Sequence, residues 1–293
     1  MINKKQTLSG FPPKPFIMKF KPVEKQWYKV KKAYRSLRVK KYPTFIFGPQ
    51  YKRSRDCIEI DITYRCNLRC LNCNRSINKA PENLDISLAM IDNFVSDSLI
   101  RNIHWKRIRI LGGEPTLHPH FVSIVKKILK YRDSMGRGNV SIEVVTNGHG
   151  SYVQKQLNSL PSDVYIENSK KTPQEKLKFR PFSWAPQDFG QYSNNSYVNG
   201  CQIMKLCGMG LTPMGYYPCA ISGGIDRIAK KQCGRNKIPT FDDDMKDILE
   251  WACSLCGRFL DGHHIPQKLL LPLTEELISP SWVKLYQDWQ TKK

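Results

Sequence analysis

Three cysteines within eight residues constrain this chain more than any other feature of its sequence. Cys66, Cys70 and Cys73 directly follow the largely apolar segment 57–63, which reads as a β-strand. A 4Fe–4S cluster takes one ligand for each iron, so three thiolates leave the fourth iron open. An open metal position is typical of a catalytic site, whereas a structural site closes all of its positions. The segment therefore predicts a catalytic metal centre at the carboxyl end of a strand.

Strand-like and helical segments alternate along the chain as far as about residue 170. Repeating units of this length predict a parallel sheet with right-handed crossovers, whose chemistry lies at the carboxyl ends of the strands. We expect an α/β fold, a partial (β/α) TIM-like barrel, with closing strands from residues 180–206. The predicted strands are 57–63, 107–111, 141–146 and 163–167, and the predicted helices between and after them are 86–100, 121–131 and 152–160.

Three motifs, each at the end of a successive predicted strand, resemble those of the radical S-adenosylmethionine (SAM) superfamily. The segment TYRCNLRCLNC at 63–73 resembles the family's cluster motif, and LGGEPT at 111–116 resembles its Gly-Gly-Glu-Pro motif. The segment VTNG at 145–148 resembles a third typical motif. The resemblance covers roughly residues 57–170, and it implies a barrel of the radical SAM type.

The resemblance also implies a cofactor and a reaction. A 4Fe–4S cluster on Cys66, Cys70 and Cys73 would pass an electron from an external donor, such as a flavodoxin or ferredoxin, to SAM. SAM would split into methionine and a 5′-deoxyadenosyl radical that abstracts hydrogen from a substrate. Glycines let the backbone approach SAM closely, and a carboxylate is expected on its ammonium group. The implied SAM-binding residues are Gly112, Gly113, Glu114, Pro115, Thr146, Asn147 and, for the ribose, Ser169.

One residue of the cluster motif departs from the family pattern. Asn72 precedes the last cysteine, where the family often has an aromatic residue that lies against the adenine of SAM. Tyr64 and His149 are the alternative candidates for that contact. The departure bears on the adenine pocket and leaves the cluster assignment intact.

A second group of cysteines lies in the last third of the chain. Two of them bracket a predicted hairpin over 205–219, and two close a predicted helix over 243–252. The arrangement resembles the short C-terminal domain (SPASM/twitch-like) of the superfamily, which holds one auxiliary 4Fe–4S cluster. Structural zinc is the alternative, because four cysteines in two pairs suit zinc as well. The four expected ligands are Cys207, Cys219, Cys253 and Cys256, and the surplus Cys201 and Cys233 are either replacement ligands or inert buried thiols.

Positive charge is concentrated at the start of the chain. Residues 1–56 carry sixteen Lys and Arg against Glu24 and Asp56, or +14 of the total +22. Such an arm indicates an anionic partner, either nucleic acid, a membrane surface or a phosphorylated substrate, unless it is merely solvated. Residues 23–41 predict a basic amphipathic helix with Trp27, Val30 and Tyr34 on its apolar face. That face either binds a partner or packs the helix onto the main domain.

The sequence divides into a basic extension at 1–56, a radical SAM core at 57–200 and a cysteine-rich auxiliary-cluster domain at 201–293. No stretch reaches the roughly 18 apolar residues of a membrane span, and the N-terminus lacks the apolar segment of a signal peptide. We therefore expect a cytoplasmic protein. Its ten cysteines are then expected to bind metal and not to form disulfides.

An anionic substrate is expected, and three substrate classes remain open. RNA is favoured by the basic arm with its interleaved aromatic residues, among them Tyr28. A peptide is favoured by the resemblance of the C-terminal part. A nucleotide-linked sugar is the third class, with Lys170, Lys171 and Arg180 as phosphate contacts. Two alternatives belong to other functional classes, namely a non-catalytic iron–sulfur electron carrier and a zinc-stabilised nucleic-acid-binding protein.

Overall fold

The computed structural model describes residues 21–136, 140–171, 181–262 and 276–291. One sheet of six strands forms its centre: β1 (Cys57–Thr63), β2 (Arg107–Gly112), β3 (Ser141–Thr146), β4 (Tyr165–Asn168), β5 (Met209–Thr212) and β6 (Gly215–Tyr217). The strand order is β4-β3-β2-β1-β5-β6. All neighbours are parallel except β5 and β6, which form an antiparallel hairpin. This is the α/β architecture of a partial barrel that the alternating segments predicted.

Ten helices are described along the chain. They are α1 (Lys21–Arg38), α2 (Lys41–Phe47), α3 (Leu88–Ile100), α4 (Phe121–Ser134), α5 (Ser151–Asn158), α6 (Ile203–Leu206), α7 (Ala220–Ala229), α8 (Lys246–Leu255), α9 (Arg258–Asp261) and α10 (Pro280–Thr291). Helix α3 begins where the Ser87 side chain accepts a hydrogen bond from the Met90 amide, a common N-cap. No helix among the described residues is both long enough and apolar enough to cross a membrane.

Alternation along the strands gives the sheet two unlike faces. Ile58, Ile60 and Ile62 of β1 are fully buried in the apolar core, which also takes Phe94 of α3 and Ile124 of α4. The residues between those isoleucines carry charges and point to the opposite face, because successive side chains of a strand alternate. We call this opposite face of β1 to β4 the inner face. It is the polar side on which a barrel enzyme would hold its substrate.

The expectation that residues 180–206 supply further strands was wrong. Residues 181–206 form three short 3-10 turns and α6, because this segment lacks the alternation of a strand. The sheet is extended by the β5–β6 hairpin, which was predicted as a hairpin but not as a neighbour of β1. Gly210 lets β5 pack closely, since a Cβ there would lie 2.3 Å from the Ala220 nitrogen. The sheet thus combines strands from both sides of residue 201, where the sequence was divided into a core and a cysteine-rich domain.

Candidate active site at the carboxyl edge of the sheet

The three-cysteine loop begins where β1 ends. The Leu68 amide donates a hydrogen bond to the Cys66 sulfur over 3.4 Å, which fixes the start of the loop. Burial raises the pKa of Cys66 to about 11, and the neighbouring Cys73 and Cys70 thiols act in the same direction. Burial also raises the pKa of Cys70, whereas the nearby Lys171 ammonium lowers it. The three thiols therefore lie within electrostatic reach of one another, as ligands of one cluster must.

The glycine turn after β2 is tied to the start of this loop. Gly113 donates a hydrogen bond to the Thr63 carbonyl and Glu114 donates one to the Arg65 carbonyl, both over 2.8 Å. A Cβ on Gly113 would lie 2.2 Å from the Arg65 oxygen, and one on Gly112 would lie 2.2 Å from the Thr63 oxygen. The sequence suggested that the glycines leave room for SAM. The structure adds a second reason, because two stretches of backbone meet there.

Glu114 is completely buried, and its carboxylate is occupied by hydrogen bonds from its neighbours. The Thr116 hydroxyl donates to it over 2.8 Å, and the Asn147 amide donates over 2.8 Å. The Thr146 hydroxyl lies 2.8 Å from one carboxylate oxygen and 2.9 Å from the other. Pro115 begins the short turn that brings Thr116 into range. Glu114 thus joins the carboxyl ends of β2 and β3, and its contact to the SAM ammonium stays a prediction.

The turn after β3 reaches the cysteine loop through Asn147. Its side-chain nitrogen donates to the Asn67 side chain over 2.8 Å and lies 3.9 Å from the Cys66 sulfur. Its side-chain oxygen accepts a hydrogen bond from the His149 amide over 2.7 Å. Ser169, after β4, donates from its hydroxyl to the Thr146 carbonyl over 2.9 Å. The structure thus brings the predicted SAM-binding residues of three strand ends together beside the three thiols.

The candidates for the adenine and phosphate contacts lie in different surroundings. Tyr64 is fully buried, and the Arg227 guanidinium lies 4.7 Å from the centre of its ring. Asn72 has a left-handed backbone with φ of 52°, and its amide donates to the Glu276 carboxylate over 2.9 Å. The Lys171 amide donates to the Asn147 carbonyl over 3.0 Å, which places it at this edge. Arg180 lies outside the described residues.

A second group of four thiols lines one buried pocket, and Cys201 is among them where Cys207 was expected. The pocket is lined by Cys201, Cys219, Cys253 and Cys256, all of them buried, together with Arg258. Burial raises the pKa of Cys253 well above its ordinary value, and Cys201 is the largest of the neighbouring charges that add to this. Cys201 was not among the four expected ligands. In the structure it lies in the pocket, in the place that was expected for Cys207.

Cys207 lies on the inner face instead. Its sulfur lies 3.6 Å from an Arg109 nitrogen, and the largest contribution to its raised pKa after burial comes from Glu59. The reason is local, because Cys201 precedes the single turn of α6 and Cys207 follows it, directly before β5 enters the sheet. Cys233 lies apart from both groups, and its thiol donates to the Asp226 carboxylate over 3.2 Å.

Two arginines flank the four thiols, the buried Arg35 and the half-buried Arg258. Burial lowers the pKa of Arg258, and the Cys256, Cys201 and Cys207 thiols act in the opposite direction. Burial likewise lowers the pKa of Arg35, and Cys201 is the first of the groups that oppose it. An anionic centre in the pocket would therefore meet two cations. The sequence carried no signal for this pairing, since Arg35 is far away along the chain.

The inner face carries a chain of ion pairs. Arg75 donates to Asp61 over 3.0 Å, and Arg109 donates to Glu143 over 3.1 Å and to Glu167 over 2.6 Å. Arg109 also pairs with Glu59. Although burial acts to raise it, the pKa of Glu59 is lowered by Arg109 and Arg75. The signal for this face was present in the sequence as charged residues at every second position of apolar strands.

Among the described residues, no group of three or more His, Cys, Asp or Glu side chains is arranged so that it could hold a metal ion. The donor sets nevertheless suit iron–sulfur clusters by their chemistry. Three thiols share one loop beside open backbone turns, and four thiols share a second pocket with two cations. The first set has the number of ligands that leaves one iron free, and the second has the number that closes every iron.

The cysteine loop and the turns beside it lie in a segment that matches a known family. Residues 60–164, about a third of this chain, match the family model of the radical SAM superfamily. The matched segment includes the cysteine loop, the glycine turn and the turn after β3, and it supports this superfamily as the class of the site.

Several curated proteins that are similar to this chain share the name GTP 3′,8-cyclase. The one from Limosilactobacillus fermentum is 33% identical over 101 residues, which is 34% of this chain and 28% of the relative. The one from Campylobacter jejuni subsp. doylei is 32% identical over 102 residues, covering 34% of this chain and 29% of the relative. The one from Desulforamulus reducens is 33% identical over 103 residues, covering 33% and 29%. The chain thus matches less than a third of the length of these relatives.

Among solved structures, the crystal structure of BtrN in complex with AdoMet and 2-DOIA is similar to this chain. The alignment covers 71% of this chain and 94% of that chain, with a TM-score of 0.41 and 14% sequence identity. A crystal structure of BtrN in an open conformation aligns over 70% of this chain and 84% of that chain, with a TM-score of 0.37 and 15% identity.

Proposed function

We propose that this protein reductively cleaves SAM at a 4Fe–4S cluster held by Cys66, Cys70 and Cys73, and uses the product to abstract hydrogen from an anionic substrate. The observation that carries the proposal is the meeting of three thiols in one loop with the glycine turn after β2. The cluster would supply one electron to SAM, which splits into methionine and a 5′-deoxyadenosyl radical. The electron would come from an external donor such as a flavodoxin or ferredoxin.

The chain's own residues would bind and orient SAM. The backbone of Gly112 and Gly113 forms the wall nearest the cysteine loop, where no side chain intervenes. Glu114 would act chiefly as a positioning residue, because its carboxylate fixes Thr146 and Asn147. The side chains of Asn147 and Ser169 lie at the same edge, where they would contact the rest of SAM.

A second, fully ligated 4Fe–4S cluster is proposed on Cys201, Cys219, Cys253 and Cys256, as in the short SPASM/twitch-like domains. Support comes from the shared pocket and from the two arginines beside it. A cluster with four thiolates is an anion, and burying an anion is costly unless cations lie nearby. In this proposal residues 57–200 form the SAM-cleaving core, residues 201–293 hold the auxiliary cluster, and residues 1–56 form a basic extension.

The proposed substrate is anionic and lies against the inner face. Arg75 and Arg109 supply cationic groups there, although each is shared with carboxylates. Burial raises the pKa of Cys70, and Lys171 lies close enough to oppose that rise, so a negative group of the substrate would meet a cation next to the cluster. The relatives' name includes GTP, a phosphorylated molecule, but they match only about a third of this chain.

The test is SAM cleavage by anaerobically reconstituted protein with a strong reductant, followed as 5′-deoxyadenosine by mass spectrometry. The wild-type protein is expected to form 5′-deoxyadenosine, and the Cys70→Ala variant is expected to form none. Cys233→Ala is the matched control, because that thiol lies outside both groups and the variant should cleave SAM normally. Cys256→Ala should also cleave SAM while it fails to turn over the true substrate. Full cleavage by Cys70→Ala would refute the assignment.

A further inference from the structure

An apolar stripe runs along the exposed side of α1. It consists of Val23, Trp27, Val30, Tyr34 and Leu37, whose spacing of four and three residues places them on one face of the helix. Their exposed fractions rise from 39% at Val23 to 67% at Leu37. The sequence left open whether this face packs onto the main domain. In the structure it faces away from it.

Helix α2 continues the stripe. Tyr42, Phe45, Ile46 and Phe47 are exposed by 51% to 88% of their surface, which is unusual for four large apolar side chains in one short helix. The two helices are joined by two residues, and the Arg38 guanidinium lies 5.6 Å from the centre of the Phe47 ring. We call the nine residues of both helices the apolar face.

The opposite side of α1 anchors the helix to the rest of the protein. The guanidinium of Arg35 donates to the carbonyl of Gly200 over 2.7 Å and to that of Phe259 over 3.0 Å. Val39 is buried, and its carbonyl accepts a hydrogen bond from the Ser196 amide over 2.7 Å. The apolar face is therefore held outward by buried contacts on its reverse side.

Basic residues border the apolar face. Lys29 and Lys31 are exposed on the two flanks of α1, and the Lys31 ammonium lies 5.6 Å from the centre of the Trp27 ring. Arg38 is half-buried and lies against Phe47 of the apolar face. Residues 1–56 as a whole carry sixteen basic residues against two acidic ones. A helix with an exposed apolar face between lysines and arginines is the pattern that lies flat in the headgroup region of an anionic bilayer.

The composition of the apolar face favours lipid over RNA as its binding partner. RNA would use the aromatic rings for stacking, but it would gain little from Val23, Val30, Leu37 and Ile46. Hydrocarbon gains from aliphatic and aromatic side chains alike. A second copy of the chain would bring two charges of +22 together, which opposes self-association through this basic surface.

We propose that the apolar face and its basic border bind the surface of an anionic lipid bilayer. The helices lie on the membrane and do not cross it. The apolar side chains enter the boundary between headgroups and acyl chains, and the lysines contact lipid phosphates. This role is independent of the SAM chemistry and goes beyond it.

Vesicle flotation with the full chain tests the proposal. The protein is expected to float with vesicles of phosphatidylcholine and phosphatidylglycerol, and to stay behind with vesicles of phosphatidylcholine alone. The variant Val30→Ser, Leu37→Ser, Phe45→Ser, Phe47→Ser should lose binding by at least about tenfold, because the buried apolar area is removed. Lys29→Glu with Lys31→Glu should also lose binding by at least about tenfold, at roughly fivefold for each basic residue.

Matched controls separate this surface from net charge and general hydrophobicity. Ile100→Ser removes an equally exposed apolar side chain elsewhere, and Lys126→Glu with Lys130→Glu makes the same charge change on α4. Both control proteins should bind anionic vesicles as the wild type does. Absence of wild-type binding, or equal binding by the four-serine variant, overturns the proposal. Retention of single-stranded RNA that the four serines abolish, with vesicle binding intact, would identify RNA as the occupant and also overturn it.

Discussion

Thr146 at the end of β3 donates its hydroxyl to both carboxylate oxygens of Glu114, which follows β2, at 2.8 and 2.9 Å. The Asn147 amide adds a third contact, so one buried carboxylate fixes the backbone of the turn that reaches the cysteine loop. A residue that the sequence assigned to SAM thus also organises the site before SAM binds. Its role in fixing the turn after β3 can be tested apart from any contact with SAM, because the stability of the cofactor-free protein depends only on the first role.

The Glu114→Gln variant is expected to lose about 1–3 kcal/mol of unfolding free energy in the cofactor-free protein. The new amide nitrogen would face either the Thr116 hydroxyl and N–H or the Asn147 N–H, and neither arrangement satisfies all donors. Urea unfolding measures the change. Glu250→Gln is the control, because Glu250 is exposed and should change stability by less than about 0.5 kcal/mol. Equal stability of Glu114→Gln and the wild type would contradict the organising role.

Iron content after anaerobic reconstitution should distinguish the two possible ligand sets of the second cluster. The wild-type protein is expected to bind about eight irons, since two clusters of four are proposed. Cys201→Ser should bind about four, whereas Cys207→Ser should still bind about eight. Cys207 lies against Arg109 and Glu59, outside the pocket of four thiols. The reverse result for the two variants would restore the ligand set expected from the sequence.

Gly113→Ala should destabilise the fold by about 3 kcal/mol or more, because the new Cβ would meet backbone that has no room to move. The nearest atom is the Arg65 carbonyl oxygen at 2.2 Å. The matched variant is Gly190→Ala, whose Cβ would meet nothing within 4 Å and should leave stability within about 0.5 kcal/mol of the wild type. Thermal unfolding followed by circular dichroism compares them. A fully stable Gly113→Ala would mean that the two backbone segments lie farther apart.

His118 should make the protein sensitive to mild acid. Burial lowers the pKa of its imidazole, which contacts the Ile86 carbonyl at 2.9 Å and accepts a hydrogen bond from the His120 amide at 2.9 Å. The folded state therefore keeps His118 neutral while the unfolded state takes up a proton below about pH 6.5. Its contribution is fully present above that pH and falls as the pH drops towards the folded pKa, by at most about 1.4 kcal/mol per pH unit.

Urea unfolding of the cofactor-free protein at a series of pH values measures this loss. His118→Gln should be less stable at neutral pH but should show a shallower fall between pH 6.5 and 5, an order-of-magnitude window set by the ordinary imidazole pKa. A variant with the same slope as the wild type would assign the acid sensitivity to another group.

The sequence predicted β1 to β4 and the closeness of the first three cysteines well, because both follow from local patterns. The bounds 57–63 and 141–146 agree with β1 and β3, since charged residues alternate with isoleucine or valine there. Three cysteines within eight residues cannot lie far apart, so their proximity followed from chain length alone. The glycine turn and the turn after β3 followed from their positions at strand ends.

The second ligand set and the direction of α1 depend on contacts between distant segments. Cys201 and Cys207 lie at the two ends of α6, and no pattern in the sequence tells which end faces the pocket. Periodicity likewise showed which residues of α1 share a face but not which way that face points. The direction of the apolar face of α1 is fixed by Arg35, which contacts Gly200 and Phe259, more than 160 positions away along the chain.

The direct pairing of β5 with β1 has a mechanical consequence. Strand β1 leads into the three-cysteine loop, and the β5–β6 hairpin leads into Cys219 at the start of α7. The three-cysteine loop and Cys219 are therefore attached to strands of one hydrogen-bonded sheet, whose neighbours are held about 4.8 Å apart. The distance between that loop and Cys219 is thereby set by the sheet, and opening or closing of surface loops would leave it unchanged.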